Sequence, residues 1–133
     1  MNHVNSFREL RVYRLARQLA KEIFEISKAF PSQEKFSLTD QMRRSSRSVG
    51  AQIAEAWAKR RYEAHFVSKL TDGDGEQQET QHWLGTAHEC QYITKDVEAN
   101  LLSKYEEVGK MLQSMIDKAD SFCGHRRSQE PDH

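Results

Sequence analysis

Apolar residues recur along the chain at the spacing of an α-helix, in four stretches separated by short polar connections. In residues 7–30, steps of three, four and seven separate the members of the stripe: Leu10, Tyr13, Ala16, Ala20, Ile23 and Phe30. Ser6 and Glu9 are spaced as a capping box at its start. Pro31 ends it, because the residue before a proline is pushed away from helical angles. Similar patterns predict helices over residues 37–60 and 98–123.

The third stretch, residues 62–93, has apolar ends and a polar centre, TDGDGEQQETQ, that contains Gly73 and Gly75. Helix propensity alone favours a loop at these two glycines. Small or uncharged residues nevertheless continue one helical face through the centre: Leu70, Gly73, Gln77, Thr80, Leu84, Ala87 and Gln91. We therefore predict one long helix with a weak middle.

Four helices joined by short connections favour antiparallel neighbours, so the predicted fold is an all-α, antiparallel up-down four-helix bundle. The bundle should occupy residues 1–124, and residues 125–133 should form a disordered tail. The stripes predict a core that includes five apolar residues from the last three helices: Ile53, Leu84, Val108, Leu112 and Ile116.

Charge is distributed unevenly along a chain whose formal net charge is zero. Residues 1–69 contain 14 Lys and Arg against 7 Asp and Glu, whereas residues 70–133 contain 6 against 13. Opposite flanks of one bundle should therefore carry opposite potential, which makes a head-to-tail contact between copies complementary. Only 37% of the residues are hydrophobic, which favours burial of further surface between subunits.

No apolar run approaches the roughly 20 residues that span a bilayer, and the amino terminus lacks the apolar segment of a secretory signal. A cytoplasmic protein without a membrane partner is expected.

Candidate chemistry is sparse, and we predict no enzyme activity, cofactor or metal. The DGDG segment at residues 72–75 begins like a calcium loop, but Gln77 and Trp83 stand where that loop needs glycine and glutamate. His82 and His88 are six residues apart, which points them to different sides of a helix. The common hydrolase, P-loop and dinucleotide-binding motifs are absent.

Two groups of cations at the predicted second helix are candidates for contact with nucleic-acid phosphate or with a neighbouring subunit, since arginine offers a planar fork of donors. They are Arg43, Arg44, Arg47, Lys59, Arg60 and Arg61. A solvated helix face is an equally good interpretation of these charges. Trp57 and Trp83 are candidates for apolar contact between subunits.

A resemblance covers nearly the whole predicted bundle. LTDQMRRSSRSV at residues 38–49, followed by QIAEA at 52–56, resembles the signature of the bacterial four-helix-bundle proteins called 23S rRNA intervening-sequence proteins. Supporting matches are FREL at residues 7–10, the Phe30-Pro31 stop, ETQ at 79–81 and VGKML at 108–112. The sequence departs from this pattern in two ways. Ala56 and Ala58 stand where glycines are usual, and Asp72, Asp74 and Gln78 stand where apolar or small residues are common.

The resemblance implies a homopentamer without established enzymatic activity. A similar bundle is the accessory subunit of diversity-generating retroelements, where a basic pentamer binds reverse transcriptase and nucleic acid. Two hypotheses follow. The first is a non-enzymatic, homo-oligomeric scaffold or adaptor near RNA or an RNA-handling partner. The second is a nucleic-acid-binding protein, for RNA or DNA, that acts through the arginines of the second helix.

Overall fold

A computed structural model describes residues 4–124 as four long helices and a short fifth one. The long helices are α1 (Arg11–Ser27), α2 (Leu38–Ala58), α3 (Glu63–Glu89) and α4 (Lys95–Asp117), and α5 spans Ala119–Cys123. Short 3-10 turns occupy Phe7–Glu9 and Ser32–Glu34, and the described residues contain no strand. The predicted all-α bundle is confirmed. The predicted tail at 125–133 lies outside the described residues.

Neighbouring helices run antiparallel, because residue numbers rise along one helix while they fall along its partner. Between α2 and α3, Ser45 pairs with Thr80 and Glu55 with Lys69. The same reversal appears in two pairs of neighbours between α1 and α2, Ser27–Arg43 and Tyr13–Gly50, and in two between α3 and α4, Gly85–Glu98 and Gly73–Leu112. Since α1 also contacts α4, the four long helices close into a ring around one core.

The predicted core is confirmed at four of its five named positions. Ile53, Leu84, Val108 and Leu112 are at most 1% exposed. The assignment of Ile116 to the core is wrong, because this side chain is only partly buried. Met115 and Ala119 occupy the buried positions of this turn instead. Met115 lies on the buried face of α4, from which the next residue, Ile116, is rotated by about 100°, whereas Ala119 belongs to α5.

Helix α3 continues through Gly73 and Gly75, as predicted. One face of its polar centre is buried, and on this face the hydroxyl oxygens of Thr80 and of Ser45 on α2 are 2.8 Å apart and hydrogen-bonded. At Gly73 the two helices approach closely, since an added Cβ there would lie 3.5 Å from Cβ of Gln52. The polar centre is therefore an interface of small, hydrogen-bonded residues.

Helix α1 begins four residues later than predicted. The Ser6 hydroxyl accepts the Arg8 N–H, but the turn it caps is 3-10. Leu10 then adopts extended backbone angles (φ −69°, ψ 132°), which separates that turn from α1. The carboxylate of Glu9 accepts the N–H of Asn5, one residue before the expected partner of a capping box.

Helix α4 begins earlier than predicted and ends earlier. The hydroxyl of Thr94 caps it by accepting the N–H of Val97. At Lys118 the backbone departs from helical angles and divides the predicted last helix into α4 and α5. No helix within residues 4–124 is long and apolar enough to cross a membrane.

Candidate nucleic-acid interface

The arginines of α2 face two different neighbours. Arg43 and Arg47 lie one turn apart and point toward α1, where both guanidinium groups lie over the ring of Phe24, 4.6 Å and 5.6 Å from its centroid. Arg43 also donates a hydrogen bond from Nε to the hydroxyl of Ser27 at 2.8 Å. It thus ties α2 to α1, whereas Arg47 is exposed. Arg44, about 100° further around the helix, points toward α3.

Arg44 is neutralised within its own chain. Its guanidinium bridges the carboxylates of Glu76, at 3.4 Å, and Glu79 on α3. The hydrogen bond with Glu79 raises the pKa of Arg44, and the same bond, together with one from the Trp83 indole, lowers the pKa of Glu79. Among the predicted arginines, this one is therefore committed to the α2–α3 interface and is a weak candidate for phosphate contact.

A groove lies between α1 and α2 beside Arg47, and we call it the basic groove. Its volume is about 510 Å³. It is lined by Ala16, Arg17, Gln18, Ala20, Lys21, Phe24, Ser46, Arg47 and Gly50. The lining residues include three cations and no carboxylate.

The three groove cations form no ion pair among the described residues. Arg17 donates a hydrogen bond to the hydroxyl of Tyr13 at 2.9 Å, the guanidinium of Arg47 lies over the ring of Phe24, and Lys21 is exposed. Sequence reasoning found Arg47 but missed Arg17 and Lys21. Two features of the sequence could have indicated them: Arg17 and Lys21 are four residues apart and share one face of α1, and Phe24 lies outside the apolar stripe.

The cations at the carboxyl end of α2 form a separate group. Arg60 is 13 residues beyond Arg47, a distance of about 20 Å along a helix. Its guanidinium carbon lies 3.6 Å from the centroid of the Trp57 ring, and its Nε donates to the Trp57 carbonyl. Lys59 and Arg61 are exposed. The six predicted cations therefore do not make one surface.

The two tryptophans are partly buried and pack against the core of their own chain. Trp57 is covered by Arg60, and the indole of Trp83 donates to Glu79 at 3.0 Å. The large apolar side chains that are exposed in the described residues are instead Phe36, at 86%, and Tyr62, at 40%. Both lie beside helix connections, outside the predicted stripes, so periodicity gave no signal for them.

Charge separates by pairs of helices. Helix α1 carries four Lys or Arg and two Glu, and α2 carries three Arg and two acidic residues. Helix α3 carries one Lys against six acidic residues, and α4 carries three Lys against five. Because α1 is adjacent to α2 and α3 to α4, one flank of the bundle is basic and the opposite flank acidic.

The residues weighed for metal binding have other partners. Asp74 of the DGDG segment lies inside α3, where its carboxylate accepts hydrogen bonds from Gln77 at 2.9 Å and Gln78 at 3.0 Å. Nδ1 of His88 lies 3.4 Å from the carboxylate of Glu98. Within residues 4–124, no three His, Cys, Asp or Glu side chains are grouped so that they could hold a metal ion.

The fold and the charges define the class of protein: an antiparallel helical bundle with one basic and one acidic flank. The chain belongs to the 23S rRNA-intervening sequence protein family, whose model matches residues 8–114. The resemblance found in the sequence is thereby confirmed.

One similar solved structure is the crystal structure of a protein of unknown function from the S23 ribosomal protein family of Bacteroides thetaiotaomicron. It is 29% identical to this chain, with a TM-score of 0.70, over 80% of this chain and 95% of that one. The comparison with curated proteins gave no significant match. The relatives thus support the family and the fold.

Proposed function

We propose that this chain is a cytoplasmic, non-enzymatic, homo-oligomeric adaptor that binds nucleic acid, RNA in particular, on its basic α1–α2 flank. The observation that carries the proposal is the set of unpaired cations in the basic groove, Arg17, Lys21 and Arg47. Cations that a protein leaves without carboxylate partners on one face are available to phosphate. The family's description, which refers to 23S rRNA intervening sequences, supports RNA as the polyanion.

The paired and unpaired arginines predict which substitutions matter. Replacing Arg17, Lys21 and Arg47 together by glutamine should weaken RNA binding and lower the slope of log affinity against log salt by about 2 to 3, the loss of three phosphate contacts. Arg44→Gln should leave both quantities nearly unchanged, because Glu76 and Glu79 already neutralise that charge. Fluorescence anisotropy with a labelled RNA at several salt concentrations measures both quantities.

A matched control variant loses the same number of positive charges, but from the acidic flank of the bundle. Lys95, Lys110 and Lys118 are exposed and lie on α4 or just beyond it. Their joint replacement by glutamine removes three charges from the acidic flank. Equal weakening by both triple variants would mean that net charge alone governs binding, and the proposed site would be wrong.

The adaptor part of the proposal rests on charge complementarity between copies. The acidic flank of one bundle matches the cations beyond the carboxyl end of α2 on another, Lys59 and Arg61, which lie outside the basic groove and leave it available to RNA. A head-to-tail contact of this kind closes into a ring when the rotation permits. The pentamer implied by the family resemblance is such a ring. Ring formation is supported by the uneven charge of the helices and by a core made from a sequence that is only 37% hydrophobic.

Sedimentation tests the assembly. At micromolar concentration and moderate salt, we expect a mass about five times 15.5 kDa, with RNA sedimenting together with the oligomer. A monomer under these conditions would contradict the adaptor, and a dimer would contradict the ring. Single replacements of Trp57, Trp83, Phe36 and Tyr62 by alanine would then show which of the predicted and observed aromatic residues contribute to the contact.

A further inference from the structure

The basic groove has a floor of small side chains. Ala16 and Ala20 lie one turn apart on α1, with Phe24 a further turn along, and Ser46 and Gly50 lie one turn apart on the facing stretch of α2. Residues four apart on a helix share one face, so these five line the seam between the two helices. Small residues on both sides leave room above the seam, where the groove of about 510 Å³ lies, while Ala16 and Ser46 themselves are buried.

The walls of the groove combine two kinds of chemistry. Phe24 contributes a partly buried aromatic ring at one end, and the ammonium of Lys28 and the guanidinium of Arg43 lie 4.8 Å and 4.6 Å from its centroid. Arg47, exposed and without a hydrogen-bond acceptor among the described residues, places its guanidinium near that ring. Arg17 and Lys21 add positive charge along the α1 wall. The site therefore offers an exposed guanidinium supported by an aromatic ring, together with further cations. A ligand that fills it needs a flat part that can stack and an anionic part.

A nucleotide in a single strand has both parts, because its base is free to stack and its phosphate is charged. A duplex exposes its phosphates but keeps its bases paired and stacked, so it would reach the cations and leave the floor empty. Aromatic rings and arginine planes are the surfaces on which proteins stack unpaired bases.

We propose that the basic groove holds one unpaired base of a single-stranded RNA segment on the exposed guanidinium of Arg47, which the Phe24 ring supports, with the adjacent phosphates on Arg17 and Lys21. This inference rests on the nucleic-acid binding proposed above, to which it adds the form of the nucleic acid. Arg43 acts as a positioning residue here, since its hydrogen bond to Ser27 and its place over the Phe24 ring hold that ring at the groove.

The test compares a labelled RNA strand of 12 nucleotides, about the size of one single-strand site, with the same strand annealed to its complement. Phe24→Leu keeps the apolar character of the side chain and removes the ring. It should weaken binding of the single strand about 5- to 100-fold, the range for loss of one stacked base, and leave the duplex unchanged. Phe24→Trp should retain binding.

Two further variants separate binding from folding. Ala20→Gln fills the groove without changing charge or the ring, and it should also weaken the single strand selectively. Phe122→Leu is the matched control, because Phe122 is a partly buried aromatic residue that stacks on Phe66. Phe122 belongs to α5, outside the basic groove. The substitution Phe122→Leu should lower stability and leave RNA binding unchanged.

The outcomes distinguish this inference from the proposed function. If Phe24→Leu and Ala20→Gln leave the single strand unaffected while the triple glutamine variant weakens it, the base does not occupy the groove, although phosphate binding stands. If the wild-type protein binds neither form of RNA, both proposals fall. If a polyglutamate peptide binds as tightly as the strand and is weakened equally by Phe24→Leu, the groove belongs to an acidic protein segment and the inference is overturned.

Discussion

Tyr105 on α4 gives a prediction whose sign is unusual: a substitution in the core should stabilise the protein. Its side chain is fully buried, and its hydroxyl oxygen has no hydrogen-bond partner among the described residues. A buried polar group without a partner costs about 1 to 3 kcal/mol of desolvation. Tyr105→Phe removes that oxygen and keeps the ring. The free energy of unfolding should therefore rise by about 1 to 3 kcal/mol.

Tyr92→Phe is the matched control, because the same atom is removed where it has a partner. The Tyr92 hydroxyl donates to the carboxylate of Glu34 at 2.8 Å, a bond that joins the α3–α4 connection to the α1–α2 connection. Both residues are partly exposed, so solvent competes for this bond and its loss should lower the free energy of unfolding slightly. The two Tyr-to-Phe variants should thus move stability in opposite directions.

Urea unfolding followed by helical circular dichroism measures both changes, with every variant at the same protein concentration so that association affects all of them equally. The pH dependence gives a second readout. Burial, and to a smaller extent the charge of Glu22, raises the pKa of Tyr105 above its usual value of 10. The unfolded chain then loses this proton first, so wild-type stability should fall as pH rises above 10, and Tyr105→Phe should fall less steeply.

A loss of stability in Tyr105→Phe as large as that in Tyr92→Phe would refute the reasoning. It would mean that the Tyr105 hydroxyl has a hydrogen-bond partner in the folded protein.

Three further predictions concern the core, α3 and the ion pair of Arg44. Ile53→Ala and Leu112→Ala should each lower the free energy of unfolding by about 2 to 5 kcal/mol, through lost burial and a cavity, and wild-type stability in either would contradict the core assignment. Gly75→Ala should raise stability by about 1 kcal/mol, because an added Cβ meets nothing within 4 Å inside a helix; destabilisation would indicate that α3 is interrupted there. The pKa of Glu79 is lowered below 4.5, so the stabilisation by Arg44 should be constant from neutral pH to about 5 and disappear as pH falls through the lowered pKa. Urea unfolding of Arg44→Gln and wild type across this range measures the difference, and a difference that persists in acid would contradict the pairing with Glu79.

The periodicity of apolar residues predicted the helices because burial of one stripe is the main reason that each helix forms. Their ends were predicted less well, since local hydrogen bonds decide them. The Ser6 side chain does cap a turn, but the extended backbone of Leu10 ends that turn before α1 begins. At the end of α4, Lys118 interrupts a stripe that continues without a break in the sequence.

The site was predicted only in part, because a list of cations does not state which neighbour each one faces. Arg43, Arg44 and Arg47 lie within five residues, yet the first and last face the Phe24 ring of α1 and Arg44 faces carboxylates of α3. The order of helices around the bundle decides this: α2 lies between α1, which supplies an aromatic ring, and α3, which supplies carboxylates. That order is a property of the assembled bundle, and the pattern within one helix does not contain it.

The polar centre of α3 shows the same dependence of one helix on another. Its buried face includes Gly73, Gln77 and Thr80, which supply little apolar surface, so the helix has weak amphipathic character of its own. Burial becomes favourable because α2 presents small polar residues in register, and the hydroxyl of Ser45 satisfies that of Thr80. Helix α3 is therefore specified by its partner as much as by its own sequence. It follows that α2 and α3 should fold as a unit, and that a peptide of α3 alone should be largely unfolded in water.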